Sequence, residues 1–178
     1  MTAARFLLGA GTVLLALLLQ TAVVAALPLP GAAPELLVVL VVAFALAEGP
    51  FSGAVTGFVA GLSADLLADH ALGRMALVLA VVGHLAGQVH DDTERSTVLP
   101  FAVVGAAAAG AVLLYAGEGL VLGDARVGGA AVLRSLTTSV PYAVVLTPFV
   151  VPLVGALVRR VDAGTTRDGP GPTVRGRS

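Results

Sequence analysis

The chain has 178 residues, of which 57% are hydrophobic and 12% are charged, and its formal net charge is -1. A soluble domain carries roughly 25% charged residues, so this composition predicts an integral membrane protein. The absence of cysteine excludes disulfides, thiol catalysis and cysteine-ligated metal sites. The near-zero net charge argues against nucleic-acid binding, which needs a concentrated basic surface.

Six apolar segments predict an all-α protein with about six transmembrane helices. A signal peptide is the alternative for the first segment, but the later apolar segments favour an uncleaved helix. The second segment rises only about 20 Å, so it either spans the membrane or is re-entrant. The expected limits of the six segments are residues 6–27, 35–47, 51–67, 75–89, 99–122 and 130–161.

The last segment differs from the others in its polar and proline content. Residues 134–139 are too polar to face lipid and are expected at the interface or in the protein interior. Three later prolines, Pro141, Pro148 and Pro152, predict kinks. Residues 1–161 are thus expected to form one transmembrane domain, followed by a disordered tail over residues 162–178. The distribution of arginines places both termini in the cytoplasm if all six segments cross, and moves the N-terminus outside if the second is re-entrant.

Within the third segment, Gly53, Gly57, Gly61 and Asp65 follow one another at intervals of four residues. Four residues is slightly more than one helical turn, so the glycines form a stripe without side chains that ends in a carboxylate. Such a stripe favours close contact with another helix in a membrane. Two roles remain open for Asp65: a cap hydrogen-bonded to a neighbouring helix, or a contact with a partner or ligand.

The sequence contains no catalytic motif that we recognise. It lacks a phosphate-binding glycine loop, a zinc-binding helix and a nucleophile turn, so no enzyme, metal or cofactor is expected. Residues 90–92 include two acids and a histidine, which favours a solvated loop over a metal site. His84 is interpreted as a packing residue rather than a proton relay. Glu35 and Glu118 are expected at the membrane interface.

The ordered combination of small residues and prolines resembles the bacterial rod shape-determining protein MreD family. The resemblance covers nearly the whole chain to about Arg160, where a proline-bearing helix is closed by arginines. The motifs that carry it are Pro34-Glu35-Leu36-Leu37, Gly49-Pro50, Gly53-x3-Gly57-Phe58-x2-Gly61-Leu62-x2-Asp65, Leu72-Gly73 and Gly83-x-Leu85-Ala86-Gly87.

This resemblance implies a non-enzymatic scaffold of the complex that elongates the lateral cell wall. Its implied location is the bacterial cytoplasmic membrane, and its implied partners are membrane lipid, MreC and, through MreC, the MreB cytoskeleton, RodA and a class B penicillin-binding protein. The implied fold is similar to the substrate-binding subunits of energy-coupling-factor vitamin transporters. Gly73, Gly83 and Gly87 join the glycine stripe and Asp65 as residues expected in helix packing or partner contact.

Two other classes of protein remain as alternatives. A vitamin-uptake subunit needs polar and aromatic residues around a pocket, whereas this chain has 4% aromatic residues and no tryptophan. An intramembrane enzyme acting on lipid-linked substrates would need Asp65, Asp69 and His70 to come together at the end of the third segment. Both alternatives are disfavoured relative to the scaffold.

Overall fold

The computed structural model describes residue 11 and residues 36–67, 72–93, 96–123 and 128–167 of the chain. The predicted first span, residues 6–27, lies outside this part apart from Gly11. So does the greater part of the predicted tail, residues 168–178.

The described residues form helices and no strand, which confirms the all-α prediction for this part of the chain. The fourth helix is short and lies where the sequence predicted a loop. The last helix continues beyond its predicted end at residue 161. The helices are α1 (Leu36–Glu48), α2 (Pro50–Leu67), α3 (Arg74–Gly87), α4 (His90–Thr93), α5 (Leu99–Val121) and α6 (Gly129–Arg167).

Helix α1 is the centre of the described fold. Every residue from Leu37 to Leu46 is buried, and α1 packs against α2, α3, α5 and α6. Its sequence is apolar on all sides, which suits a helix with no face exposed to water. With about 20 Å of length, it is shorter than a hydrocarbon core of roughly 30 Å.

A sharp turn connects α1 to α2. Gly49 has a φ of 91°, in the left-handed region that closes many helices and that glycine adopts without a steric penalty. Its N–H donates to the carbonyl of Ala45 over 2.8 Å. Pro50 then occupies the first position of α2, where the missing N–H costs no helical hydrogen bond.

Three of the described helices are long and apolar enough to cross a membrane: α2, α5 and the part of α6 between Gly129 and Arg160. Helices α1 and α3 are apolar but shorter. The prediction of about six spans is therefore met in part. Helix α6 runs through all three of its prolines, each of which leaves the carbonyl four residues earlier without its usual donor.

Large apolar side chains cover much of the outside of the described helices. Phe149 on α6 is 70% exposed and Phe51 on α2 is 71% exposed. An extensive apolar surface of this kind is typical of a region that contacts membrane or other proteins. Together with the apolar helices, it identifies the chain as a membrane protein.

Candidate functional site

The backbones of α2 and α3 come close together, and two glycines face each other there. A Cβ atom added to Gly53 would lie 2.9 Å from the carbonyl carbon of Gly83. A Cβ added to Gly83 would lie 2.7 Å from the carbonyl carbon of Gly53. Real Cβ atoms do not come so close to backbone, so glycine is required on both sides of this contact.

The contact continues along both helices in antiparallel register. Gly57 lies against the backbone of Leu79 and Ala80, and Gly61 lies against the backbone of Met75 and Ala76. Each turn forward along α2 thus matches about one turn backward along α3. The glycine stripe recognised in the sequence is buried against the main chain of α3 over its whole length.

Gly87 has the same role at the other end of the pair. A Cβ added there would lie 2.5 Å from the nitrogen of Pro50 and 2.6 Å from the carbonyl carbon of Gly49. The end of α3 therefore packs directly on the turn between α1 and α2. Gly61 of α2 at one end of the contact and Gly87 of α3 at the other allow the two helices to stay close along its length.

Asp65 ends the glycine stripe and caps α3. Its side chain is 4% exposed. Oδ2 accepts hydrogen bonds from the backbone N–H of Gly73 over 2.9 Å and of Ala76 over 3.2 Å, and Oδ1 accepts one from the N–H of Met75 over 3.2 Å. The first N–H groups of a helix have no partner within the helix, and a carboxylate there is also favoured by the helix dipole.

This geometry corresponds to the first of the two roles considered for Asp65, the cap on a neighbouring helix. Gly73 differs from the other predicted glycines because it lies outside the helix contact. Its φ of 96° is in the left-handed region, and its contribution is the N–H that it donates to Asp65. The glycine stripe sets the distance between α2 and α3, and the cap by Asp65 fixes the position of α3 along its axis.

The other groups singled out in the sequence do not assemble into a reactive centre within the described residues. No group of three or more His, Asp or Glu side chains there could hold a metal ion. His84 is exposed and its Nε2 lies 3.0 Å from Nε2 of Gln88. Asp69 and His70, which the enzyme alternative requires, lie outside the described residues.

His90 has a structural contact that the sequence did not suggest. Its Nδ1–H donates to the carbonyl of Leu46 over 2.6 Å. In a continuous helix that carbonyl would accept from the residue four positions later, but this residue is Pro50, which has no N–H. The imidazole supplies the missing donor and ties α4 to the end of α1.

A cluster of charged and aromatic residues joins α3 to α5 and was also missed by sequence reasoning. Nε of Arg74 lies 3.9 Å from Oε2 of Glu118, and the guanidinium lies 4.4 Å from the centre of the Tyr115 ring. Nη2 of Arg74 also donates to the carbonyl of Tyr115 over 3.5 Å. One feature of the sequence could have indicated this pair. Glu118 is the only acid within α5, and Arg74 is the only arginine of α3 and lies at its start.

The fold and the site define a class of protein: a helical membrane protein in which a short helix, buried from Leu37 to Leu46, lies among longer ones and two helices meet backbone to backbone. The family model of the rod shape-determining protein MreD matches residues 2–154. The chain belongs to this family, whose role is the determination of rod shape. The resemblance noted in the sequence is thereby confirmed. Comparison with curated proteins and with solved structures found no match.

Proposed function

We propose that the chain is a non-enzymatic scaffold of the cell-wall elongation complex and helps to direct lateral peptidoglycan synthesis. Membership of the shape-determining family carries this proposal. The proposed partners are MreC and, through it, MreB, RodA and a class B penicillin-binding protein. The proposed location is the bacterial cytoplasmic membrane, which the chain crosses several times.

The internal use of the polar groups supports a scaffold over a catalyst. The carboxylate of Asp65 is occupied by three backbone donors. A catalytic acid or base needs a free position near its substrate. Asp65 instead holds the start of α3 in place.

The packing of α2 on α3 supports the same role. Backbone contacts at Gly53, Gly57 and Gly61 leave no room for the two helices to move towards each other. A fixed pair of helices presents a constant outer surface, and preorganised surfaces lose less entropy when a partner docks. The exposed apolar residues on that surface are suited to contact with the transmembrane helices of other proteins.

Orientation is a further part of the proposal. The positively charged residues near the end of α6, Arg159 and Arg160, favour a cytoplasmic position for the C-terminus. The fold similarity to the substrate-binding subunits of vitamin transporters stays a prediction. An experimental structure of the chain, superposed on those subunits, would test it.

The decisive experiment combines co-purification with complementation of cell shape. The tagged chain is extracted from its own cells in mild detergent, and the proteins that accompany it are identified by mass spectrometry. We expect MreC and other elongation proteins to be recovered, and a strain that lacks the chain to lose rod shape until the gene is restored.

A matched pair of variants tests whether partner binding and rod shape depend on the α2–α3 contact and not only on the presence of the chain in the membrane. Gly57→Leu disturbs the α2–α3 contact, whereas at Gly110 nothing lies within 4 Å of the Cβ that Gly110→Leu adds. The first variant is expected to lose partners and rod shape, and the second to retain both. Normal rod shape in the absence of the chain, or recovery of no elongation protein, would contradict the proposed function.

A further inference from the structure

One face of α6 is exposed along the middle of the helix. The opposite face packs inside the fold, where Ala143, Thr147 and Val154 are buried. The exposed face includes large apolar side chains, of which Phe149 is 70% exposed and Leu153 is 60% exposed. Together the exposed residues form the proline face, which consists of Pro141, Val145, Pro148, Phe149, Pro152 and Leu153.

The prolines free backbone carbonyls on this same face. In a continuous helix the carbonyls of Val144 and Pro148 would accept from the N–H groups of residues 148 and 152, but both of these are prolines and have no N–H. A helical carbonyl points along the axis towards the residue four positions later, so these two carbonyls lie along the proline face. The neighbouring hydroxyl of Thr147 is engaged on the buried side, where it donates to the carbonyl of Ala143 over 2.9 Å.

The two carbonyls lie where lipid cannot satisfy them. Residues 140–158 contain no charged side chain, and they belong to the part of α6 that is long and apolar enough to cross a membrane. Hydrocarbon chains have no hydrogen-bond donor, and carbonyls that a proline frees at this depth are satisfied by neighbouring helices and their hydroxyl side chains. The proline face thus combines an apolar surface with two acceptors that a neighbouring helix can supply with donors.

We propose that the proline face binds a transmembrane helix of another protein, whose Ser or Thr hydroxyls donate to the carbonyls of Val144 and Pro148. The two carbonyls are four residues apart, about 6 Å along α6. The partner's hydroxyls are therefore three or four residues apart, on one face of its helix. Small hydroxyl side chains also let two helices approach closely in a membrane. This inference rests on the proposed scaffold function, which requires a membrane partner, and it names the surface that the partner binds.

A second copy of the chain does not meet this requirement. Two copies in one membrane have the same orientation, so a symmetric contact through α6 brings together residues at equal depth. Beside the carbonyls of Val144 and Pro148, the proline face carries Val145, Phe149 and further prolines, none of which has a side-chain donor. The donors must come from a different helix.

Photocrosslinking tests the occupant without changing the carbonyls. Benzoylphenylalanine is incorporated in place of Phe149 on the proline face, or in place of Phe58 on α2, which is 51% exposed. The full chain is expressed in its own cells, and the crosslinked peptides are sequenced by mass spectrometry. We expect the probe at Phe149 to capture a transmembrane segment of another protein with Ser or Thr residues three or four positions apart. The probe at Phe58 should not capture this segment.

Proline variants then test the hydrogen bonds. Pro148→Ala and Pro152→Ala each restore a helical N–H to one of the two carbonyls. Each should raise the dissociation constant for the captured partner about threefold in mild detergent, the usual scale of one hydrogen bond between membrane helices, and both together about tenfold. The resistance of the chain to unfolding by sodium dodecyl sulfate should not fall, because alanine suits a helix better than proline does. Pro100→Ala is the matched control and should leave binding unchanged, because proline at the start of α5 costs no helical hydrogen bond.

A double-mutant cycle separates the hydrogen bonds from a change in the shape of α6. Replacing the partner's two hydroxyl residues with alanine should weaken binding to the unsubstituted chain about tenfold. The same replacement should have no further effect on the chain that carries both Pro148→Ala and Pro152→Ala, because the bonds are already lost. Equal effects in both backgrounds would overturn the proposal.

Four other results would also overturn it. These are capture of a second copy or of lipid alone by the probe at Phe149, unchanged binding in the proline variants, and a loss of stability in those variants, which would assign the prolines to the fold itself. Recovery of the elongation proteins without capture of any of them at Phe149 would reject the proline face and leave the proposed function intact. Capture of a hydroxyl-bearing helix from a protein outside the elongation complex would support the proline face and contradict the proposed function.

Discussion

Gly57→Ala is the smallest change that tests the backbone contact between α2 and α3. The added Cβ would lie 2.5 Å from the carbonyl carbon of Leu79 and 2.9 Å from the nitrogen of Ala80. Carbon atoms pack at about 3.5 to 4.0 Å, so the helices would have to separate locally by about 1 Å. A gap of 0.5 to 1 Å already removes roughly a quarter to a half of the dispersion energy of each contact across it.

The expected cost is about 1–3 kcal/mol of unfolding free energy, the usual range for an overpacked interior. It can be measured by unfolding the purified protein from mild detergent with increasing sodium dodecyl sulfate, followed by circular dichroism. Gly110→Ala is the matched control because nothing lies within 4 Å of its added Cβ. Gly105→Ala, with its nearest atom at 3.4 Å, makes an ordinary contact and should also be mild. Equal stability of the three variants would refute the argument that the stripe sets the helix distance.

The remaining predictions concern the helix caps and the topology. Asp65→Leu should lower the free energy of unfolding by about 1–3 kcal/mol for each N–H left unsatisfied, whereas Asp65→Asn should lower it less because the amide oxygen still accepts. An equal loss of stability in both variants would contradict the cap. His90→Phe should lower the free energy of unfolding by about 1–3 kcal/mol, because it leaves the carbonyl of Leu46 without a donor. An unchanged unfolding curve would show that the hydrogen bond from His90 does not stabilise the fold. A reporter fused after Arg160 should be cytoplasmic and one inserted at Asp124 extracytoplasmic, because one helix separates them; an outside signal from the tail would exclude the six-span topology.

The α2–α3 site could be anticipated because its pattern is local. Four residues at a constant spacing determine a helix face, and absent side chains on that face allow only a close contact. The sequence did not identify which helix makes the contact. Only the structure shows that Gly83 and Leu79 of α3 lie opposite the glycine stripe of α2.

Features that join distant parts of the chain could not be anticipated. Arg74 and Glu118 lie on different helices, and nothing in either local sequence specifies the other. The burial of α1 was hidden for another reason: a helix that is apolar on all sides has the same sequence pattern in lipid and in a protein core. His90 is needed as a donor to the carbonyl of Leu46 because the residue four positions after Leu46 is a proline, and the fold brings α4 to that carbonyl.

The central position of α1 has a consequence for how the protein is made. Among the described helices, α1 is synthesised first, and α6, which packs on it, is completed last. Between those moments α1 must remain stable in lipid without its final neighbours, which its uniformly apolar sequence allows. The native core therefore closes only when the ribosome has finished α6, and a chain truncated before that helix leaves α1 open on one side. Quality-control proteases of the membrane would meet such a chain with its central helix accessible.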